Sequence, residues 1–337
     1  MKLLKSAFSI VLLVGLLVGC VAPAAQETTE TTTEMTVNTT APNNEQLSEL
    51  GIYLAPWKEN VVEKAKQDGK LHYYFMSSEG KPMITTATYP EKWGDCCLIV
   101  MPDGSTFLID TGHKPFAEIL VKNLKQMGVS RIDYLLISHF HSDHFGGAVE
   151  TGGLLDNFPV GQVFVTNAKD TTIDNFQLKC ENLNIPVTTL MEGDDKQIGQ
   201  MRLRVLWPTK TQETPEKGNS EQINNTSLVV RLDYKDHSAL FTGDIYSGVE
   251  QTLASKYPAL LDVDLLKAPH HGDNTSNSLS FATATSPKLV VVTGYAGLQN
   301  VTRMIYEGVG AQILDDKSWG YIHLTVSDKD MQWETSR

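Results

Sequence analysis

Apolar residues recur along the chain with a helical period in some segments and with a strand period in others. Five apolar side chains between positions 114 and 128 fall on one face of a predicted helix: Phe116, Ile119, Leu120, Leu124 and Met127. The same period predicts further helices at 44–68, 170–184, 247–257, 277–285 and 299–308. Short apolar runs bounded by turn residues predict strands at 71–78, 94–101, 105–110, 132–138, 161–166, 186–191, 201–206, 227–234, 238–243, 262–268, 288–293, 311–315 and 319–326. Because strands and helices alternate after an initial β-rich portion, the pattern predicts a mixed α/β domain.

The first residues of the chain have the layout of a bacterial export signal. Lys2 and Lys5 precede an apolar run at 7–18 that is too short to span a bilayer as a helix. The run ends in Leu-Val-Gly-Cys, which resembles the signal of bacterial lipoproteins, in which the cysteine is lipidated. We therefore expect a signal peptide at 1–19 and an extracytoplasmic protein that a lipid on Cys20 anchors to the cell membrane of a bacterium. An ordinary signal peptide that contains a cysteine is the alternative.

Composition divides the rest of the chain into a linker and a folded part. Residues 20–46 are rich in Thr, Glu, Ala and Asn and have almost no large apolar side chains, which predicts a disordered tether. A helical extension is expected at 47–70, followed by one domain at 71–337. The domain shows no internal repeat and no second boundary.

Charge and cysteine content narrow the class of protein. The chain has 28 Lys+Arg and 40 Asp+Glu, and its formal net charge of −12 argues against a protein that binds nucleic acid through a basic surface. A nuclease stays open, because metal ions can supply positive charge locally. Cys96, Cys97 and Cys180 form no Cys-x-x-Cys pair, so we expect buried core residues, with a disulfide to Cys180 as the alternative.

A cluster of metal-ligand residues follows the predicted strand at 132–138. Of the nine histidines in the chain, His139, His141 and His144 lie here, together with Asp143. An extended backbone sends side chains two residues apart to the same side, so the first two imidazoles face one point. Asp143 and His144 would then face a neighbouring point. The run therefore predicts a site for two metal ions.

Three other predicted strands end in residues of the same kind. Asp244 follows one of them, and its carboxylate has two oxygens with which to bridge two ions. His270 and His271 follow a second strand, and Asp110 follows a third. We expect Asp110 to lie behind the site and to orient a ligating histidine.

Four short motifs at these strand ends carry a family resemblance. They are His-x-His-x-Asp-His at 139–144, Asp-Thr-Gly at 110–112, Thr-Gly-Asp at 242–244 and His-His-Gly at 270–272. Together they resemble the metallo-β-lactamase superfamily, and most closely the branch of the ComEC/Rec2 competence proteins. The resemblance covers about residues 70–326 and implies a four-layer αββα sandwich, the metallo-β-lactamase fold, with metals at one edge between the two sheets.

The resemblance also implies a set of ligands for two divalent metal ions: His139, His141, Asp143, His144, Asp244 and His271. The first two histidines would hold one ion, the next two residues with His271 the other, and Asp244 would bridge them. Asp143 and His270 would act in catalysis, the aspartate by orienting or deprotonating the attacking water and the histidine by contacting the substrate. Which of His270 and His271 is the ligand stays open. Zinc is the expected metal, with manganese as the alternative.

The chain departs from the family pattern in several places. Many members have a further histidine before the bridging aspartate, and the only candidate here is His237, in a polar turn where we expect a surface residue. Asn224 or Asn225 would line the site instead, and the first ion would be weakly held. Asp273 replaces the usual serine after His-His-Gly, and the C-terminal Asn-x-Tyr-x-His-Pro segment is missing, which puts DNA cleavage in doubt. His113 is expected either to contact the substrate or to be exposed after a turn.

These features predict a membrane-anchored metal-dependent hydrolase that uses a hydroxide bridging two ions. By resemblance the bond is a phosphodiester, in nucleic acid, a nucleotide or a phosphorylcholine-type ester. A carboxylic ester, lactone or β-lactam hydrolase is the first alternative. A non-catalytic surface lipoprotein that uses the metal fold to capture a ligand is the second. The substrate would be a small molecule or a polymer, the membrane contact would be through the N-terminal lipid only, and the sequence leaves the oligomeric state open.

Overall fold

A computed structural model describes residues 54–76, 94–211, 214–294, 298–328 and 330–337. The predicted signal peptide at 1–19, Cys20 and the tether at 20–46 lie outside the described residues. The strands are β1 Leu71–Phe75, β2 Cys97–Val100, β3 Thr106–Ile109, β4 Ile132–Leu136, β5 Val160–Thr166, β6 Val187–Leu190, β7 Asp195–Ile198, β8 Met201–Trp207, β9 Val229–Tyr234, β10 His237–Phe241, β11 Leu265–Lys267, β12 Leu289–Val292, β13 Gln312–Asp315, β14 Ile322–Val326 and β15 Met331–Thr335.

The helices lie between these strands. They are α1 Val61–Asp68, α2 Ala117–Gln126, α3 Ser142–Val149, α4 Leu154–Asn157, α5 Thr171–Asn182, α6 Ser220–Asn224, α7 Ser247–Lys256, α8 Pro258–Leu261, α9 Leu279–Thr285, α10 Asn300–Gly308 and α11 Asp316–Trp319. Of these, α2, α5, α7, α9 and α10 fall where the sequence predicts a helix. Short 3-10 turns cover Lys114–Phe116 and Pro269–Gly272. Within the described ranges, no helix combines the length and the apolar character that a bilayer span requires.

The strands form two sheets. One has eight strands in the order β15-β14-β1-β2-β3-β4-β5-β6, and the other has seven in the order β13-β12-β11-β10-β9-β8-β7. Strands β3 to β6 are mutually parallel in the first sheet, and β10 to β13 are parallel in the second. Residues that follow neighbouring parallel strands meet at the same edge of their sheet. This rule brings together the strand-end residues that the sequence predicts as a site.

Three apolar cores separate four layers. The middle core lies between the sheets, where the ring of Phe241 stacks on those of Tyr73 and Phe75 at centroid distances of 6.4 and 6.2 Å. A second core lies between the eight-stranded sheet and α1 to α5, and a third lies between the seven-stranded sheet and α7 to α10. Both sheets are therefore covered by helices on their outer faces, which confirms the predicted αββα sandwich.

The first described helix is much shorter than predicted. The sequence predicts a helix at 44–68, but α1 begins at Val61, and residues 54–60 are not helical. The side chain of Asn60 accepts hydrogen bonds from the backbone amides of Val62 and Glu63 and so caps the helix. The helix ends at Gly69, whose φ of 68° is the left-handed conformation of a C-cap.

The residues before α1 pack against the domain instead of extending the helix. Ala55 and Trp57 are buried, and the Trp57 ring lies edge-on to Tyr74 at 4.8 Å and to Tyr321 at 5.5 Å. Pro56 lacks the amide hydrogen that an interior helical position uses, which favours the extended form here. The segment therefore belongs to the core between α1 and the eight-stranded sheet.

The expectation that His237 lies on the surface is wrong. His237 is the first residue of β10 and is buried, with its ring 5.9 Å from that of Tyr73 and its Nδ1 3.7 Å from Asp264. The exposed turn consists of the two preceding residues, Lys235 and Asp236. Alternation within β10 turns the imidazole inward, and hydrophobicity alone does not report this.

Short elements account for most of the other differences. The sequence predicts no element at α3, α4, α6, α11, β7 or β15, each of which spans only four to eight residues. The strand predicted at 319–326 begins later, at Ile322, because α11 occupies Asp316–Trp319. Elements this short contain too few repeats of the apolar period to be recognised. Cys96, Cys97 and Cys180 are buried and free, as predicted.

Replacing the capping residue of α1 tests where this helix begins. Asn60→Ala removes the acceptor for two backbone amides, so we expect the free energy of unfolding to fall by about 1 kcal/mol. A helix that ran through position 60 would instead be stabilised by alanine. Urea denaturation of the full chain measures the difference, and Asn182→Ala, at an exposed helical position, is the control. An increase in stability for Asn60→Ala would contradict the observed cap.

Candidate metal centre

Polar side chains from both sheets meet at one edge of the sandwich. Each follows a strand or begins a helix: Asp110 after β3, Ser138 and His139 after β4, Asp244 after β10 and His271 after β11. His141 occupies the N-cap position of α3, so Asp143 and His144 lie in the first turn of that helix. The predicted cluster at 139–144 is therefore half extended and half helical. This change of conformation is what directs its two pairs of side chains to neighbouring points.

The first group of donors consists of two imidazoles and one carboxylate. His139 Nε2 lies 3.2 Å from His141 Nδ1 and 3.9 Å from Asp244 Oδ2. His139 is fully buried, whereas His141 is partly exposed. The extended backbone between the two histidines directs both rings to one side. His139 presents Nε2 to the common point, and His141 presents Nδ1.

The second group shares the same carboxylate oxygen. Asp244 Oδ2 lies 3.2 Å from His144 Nε2 and 3.3 Å from His271 Nε2. Asp143 Oδ2 completes the group at 3.6 Å from His271 Nε2. The donor atoms of Asp143, His144 and His271 all lie within 4.8 Å of one another. Asp244 therefore stands between two groups of donors, as a bridging ligand requires.

The two histidines after β11 point in different directions because of their backbone conformation. His270 and His271 have φ values of 47° and 53°, in the left-handed region that costs a non-glycine residue about 1–3 kcal/mol. His271 points into the buried donor group, while the side chain of His270 is 21% exposed, with its Nε2 3.9 Å from Asp244 Oδ2. The geometry thus places His271 among the donors and His270 at the open side.

The donor set fits two divalent ions. It combines imidazole with carboxylate and contains no cysteine, a mixture suited to zinc and to harder ions such as manganese. Asp244 Oδ1 is buried and has no hydrogen-bond partner among the described residues. A buried carboxylate oxygen without a partner is costly unless a cation compensates it. The structure supports a dinuclear site on these grounds.

Asp110 lies behind the donors, at the position predicted for an orienting carboxylate. Its Oδ2 accepts hydrogen bonds from His144 Nδ1 at 2.8 Å and from Ser138 Oγ at 2.7 Å, and its Oδ1 accepts one from the Ser138 amide at 2.7 Å. This arrangement leaves His144 Nε2 free to face the site. Burial by itself would lower the pKa of His144, but the carboxylates of Asp244 and Asp110 raise it to about 10. The two carboxylates therefore strongly favour positive charge at this point.

A buried ion pair that the sequence analysis did not predict supports the second donor group. Asp95 forms a salt bridge with Lys267, and both side chains are buried. Asp95 Oδ1 also lies 3.1 Å from His271 Nδ1 and accepts a hydrogen bond of 2.6 Å from Thr293 Oγ1. Burial opposes its ionisation, but Lys267 and His271 hold the pKa of Asp95 well below its usual value. The sequence signal for this ion pair was Lys267, the one charged residue of the otherwise apolar strand β11.

Gly94 allows the Asp95 backbone to approach α3. Its φ is 86°, and a Cβ on this residue would lie 1.9 Å from the carbonyl oxygen of Asp143. The Asp95 amide donates a hydrogen bond of 3.0 Å to that same oxygen. A side chain at position 94 would therefore displace both the Asp95 carboxylate and the first turn of α3.

The structure places the three predicted substrate contacts differently from one another. Asn224 is buried beside the donors, with Nδ2 3.4 Å from His270 Nε2. Asn225 Oδ1 accepts a hydrogen bond from the backbone amide of Tyr246 and so holds a loop. His113 is buried, with Nε2 3.1 Å from Ser142 Oγ, so exposure after a turn is wrong. Asn224 is the one that the structure brings to the candidate ligands.

The sequence matches a family model over the part that contains these donors. Residues 94–163 match the model described as the metallo-beta-lactamase superfamily. This part of the chain is therefore similar to the metallo-beta-lactamase superfamily. The match begins at Gly94 and includes the whole His-x-His-x-Asp-His run. This match and the two sheets with helices on their outer faces confirm the predicted metallo-β-lactamase fold. They also confirm the prediction of an enzyme of this hydrolase superfamily.

Competence proteins are among the proteins to which the chain is similar. The chain is 28% identical to "ComE operon protein 3" of Bacillus subtilis over 68% of this chain and 30% of that protein. It is 30% identical to "Competence protein ComA" of Neisseria gonorrhoeae over 59% of this chain and 26% of the other. It is 25% identical to "Recombination protein 2" of Haemophilus influenzae over 63% and 24% of the two chains. The predicted resemblance to the ComEC/Rec2-like branch is confirmed, and the chain spans less than a third of the length of each relative.

Removing the buried ammonium of Lys267 tests the ion pair beside the candidate metal centre. Lys267→Met leaves the Asp95 carboxylate buried without its main counter-charge, so we expect the free energy of unfolding to fall by about 3–5 kcal/mol. Adding Asp95→Asn to this variant should restore much of the loss. Urea denaturation measures both.

The exposed pair of Lys235 and Asp328 supplies the matched control. Lys235→Met should cost no more than about 1 kcal/mol, because water screens that pair. Equal effects of the two lysine substitutions would show that the buried pair has no special role in stability.

Proposed function

We propose that the protein is a membrane-anchored hydrolase that cleaves phosphodiester bonds with two metal ions. One observation carries this proposal: Asp244 Oδ2 lies within 3.9 Å of ring nitrogens from four histidines. A carboxylate in this position can serve both ions. His141 and His270 are partly exposed, which leaves the site open to a substrate on one side.

The residues divide into holding and reacting groups. His139, His141 and Asp244 would hold one ion, and the second donor group would hold the other. Bound divalent ions lower the pKa of a water molecule, so that hydroxide is available near neutral pH, and they stabilise negative charge on the substrate. Asp143 has a carboxylate at the edge of its donor group and would orient the attacking water and accept its proton.

His270 would contact the substrate from the open side. Its ring stacks on that of Tyr246 at a centroid distance of 5.1 Å, and its Nδ1 lies 2.7 Å from Thr275 Oγ1. These contacts hold the imidazole in one orientation although it is partly exposed. A fixed polar ring beside the donors suits the binding of a charged phosphoryl group.

Phosphodiesters are proposed because the ComEC/Rec2-like resemblance implies them. Nucleic acid, a nucleotide and a phosphorylcholine-type ester all carry a phosphoryl group that two cations can bind. The net charge of −12 leaves the ions as the main attraction for such a substrate. Zinc is the proposed metal and manganese the alternative, because both accept mixed nitrogen and oxygen ligands.

Activity on bis(p-nitrophenyl) phosphate tests the reaction. We expect the full chain to hydrolyse this ester when zinc or manganese is added, and we expect Asp244→Ala and His141→Ala to lower kcat/KM by at least about a hundredfold. The matched control is Asp236→Ala, in the exposed turn at the opposite end of β10, which should retain full activity. Wild-type turnover in Asp244→Ala would refute the assignment. Absence of turnover with either metal would favour a carboxylic ester, lactone or β-lactam substrate or a ligand-binding protein.

We further propose that a lipid on Cys20 anchors the protein outside the cytoplasm. The support is the basic start of the chain, the apolar run at 7–18 and the Leu-Val-Gly-Cys sequence that ends it. Residues 20–46 would separate the domain from the membrane surface.

Substitution of the cysteine tests the anchor. Cys20→Ser cannot be lipidated, so we expect the protein to move from the membrane fraction of a bacterial host to the soluble extracytoplasmic fraction. Immunoblots of the two fractions and the mass of the mature N-terminus provide the measurement, and Cys180→Ser is the control. An unchanged membrane fraction and an unmodified wild-type N-terminus would contradict the anchor.

A further inference from the structure

The two donor groups around Asp244 are unequal. The second contains Asp143, His144 and His271 in addition to the shared carboxylate. The first contains only His139 and His141 in addition to it. Counting the shared carboxylate, the second group offers four protein ligands and the first offers three.

Helix α6 lies against His141, because Ser220 Oγ at its start is 3.3 Å from His141 Nε2, and Asn224 lies at its other end. It is the last residue of α6 and is 1% exposed. Its Nδ2 lies 3.4 Å from His270 Nε2, and His270 Nδ1 contacts Thr275 Oγ1 at 2.7 Å. A ring that donates from Nδ1 accepts at Nε2, so the Asn224 amide hydrogen donates to His270. The carbonyl end of the same amide then points away from His270.

The oxygen end of the amide has no such partner. Asn224 Oδ1 is buried and makes no hydrogen bond among the described residues. A buried acceptor without a partner is destabilising unless something compensates it. This oxygen belongs to a helix that also contacts His141 through Ser220, so a cation held by the first donor group could supply the compensation.

A serine ties the backbone of Asn224 to that of Asp244. Ser227 Oγ donates a hydrogen bond of 2.7 Å to the backbone carbonyl oxygen of Asn224 and accepts one of 3.0 Å from the backbone amide of Asp244. A Cβ on Gly243 would lie 2.6 Å from the same Oγ, so this contact requires glycine there. The end of α6 and the end of β10 are thus tied together at one atom.

We propose that Asn224 Oδ1 is the fourth protein ligand of the first metal ion. The inference rests on the two-metal function proposed above and adds a donor to His139, His141 and Asp244. An amide oxygen is neutral and harder than imidazole. The first ion is therefore bound more weakly than the second and is exchanged more readily for manganese.

Three substitutions of Asn224 in the full chain separate a ligand from a structural residue. Asn224→Leu keeps a similar volume but offers no donor, so the dissociation constant of the weaker ion should rise at least about tenfold while the tighter ion is unaffected. Asn224→Asp is nearly isosteric and adds a negative charge, so it should tighten the weaker ion. Asn224→His should also retain two ions and shift the preference from manganese to zinc.

The measurements are independent of catalysis. Chelator competition gives the two dissociation constants for Zn²⁺ and for Mn²⁺, and elemental analysis gives the number of ions retained per chain. Circular dichroism checks that each variant is folded. The matched control is Asn225→Leu, the adjacent asparagine whose side chain binds the Tyr246 amide, and it should leave both dissociation constants unchanged.

The outcomes distinguish this proposal from the proposed function. If both dissociation constants of Asn224→Leu equalled those of the wild type, Asn224 would not be a ligand. The same conclusion would follow if Asn224→Asp failed to bind the weaker ion more tightly. The proposal would also be overturned if the wild type, Asn224→Asp and Asn224→His each bound only one ion. Loss of the weaker ion in Asn224→Leu without any hydrolysis by the wild type would establish the ligand and reject the phosphodiesterase.

Discussion

The structure depends on the compensation of negative charge buried at one edge of the sandwich. Asp95, Asp110, Asp143 and Asp244 are all buried within hydrogen-bond or ion-pair distance of histidines. Lys267 compensates one of them directly. Carboxylates in such an interior must be paired, hydrogen-bonded or bound to cations. The remaining charge is what makes this edge a site for divalent ions.

This concentration of charge arises because each sheet contains a set of parallel strands. In each sheet the parallel strands end at the edge where the histidines lie, so that strands β3, β4, β10, β11 and β12 each deliver a polar residue there. The apolar residues of the same strands form the core between the sheets. A packed core thus holds the donors, and the partly exposed His270 and α6 lie at the open side of the site.

The two sides of the site have different support. The second donor group is held by Asp110 through His144 and by Asp95 through His271, both with fixed hydrogen bonds. The first group has Asn224 as its neighbour instead of a further histidine. This asymmetry agrees with the sequence-based expectation of a weakly held first ion. Several fixed hydrogen bonds hold the second donor group. Under the proposal for Asn224, the affinity of the first group for its ion depends on a single amide.

The sequence by itself determined the features that are local in the chain. His139 and His141 stand two apart after a strand, and the motifs that end at Asp244 and His271 follow strands whose apolar runs are plain. The alternation of elements predicted a mixed α/β domain, and the resemblance carried by the motifs implied the four layers. Only the tertiary structure decided that Lys267 meets Asp95, that His237 points inward and that Asn224 rather than Asn225 lies beside the donors. These contacts join segments far apart in sequence, and they depend on the order of strands and the packing of layers, which periodicity does not encode.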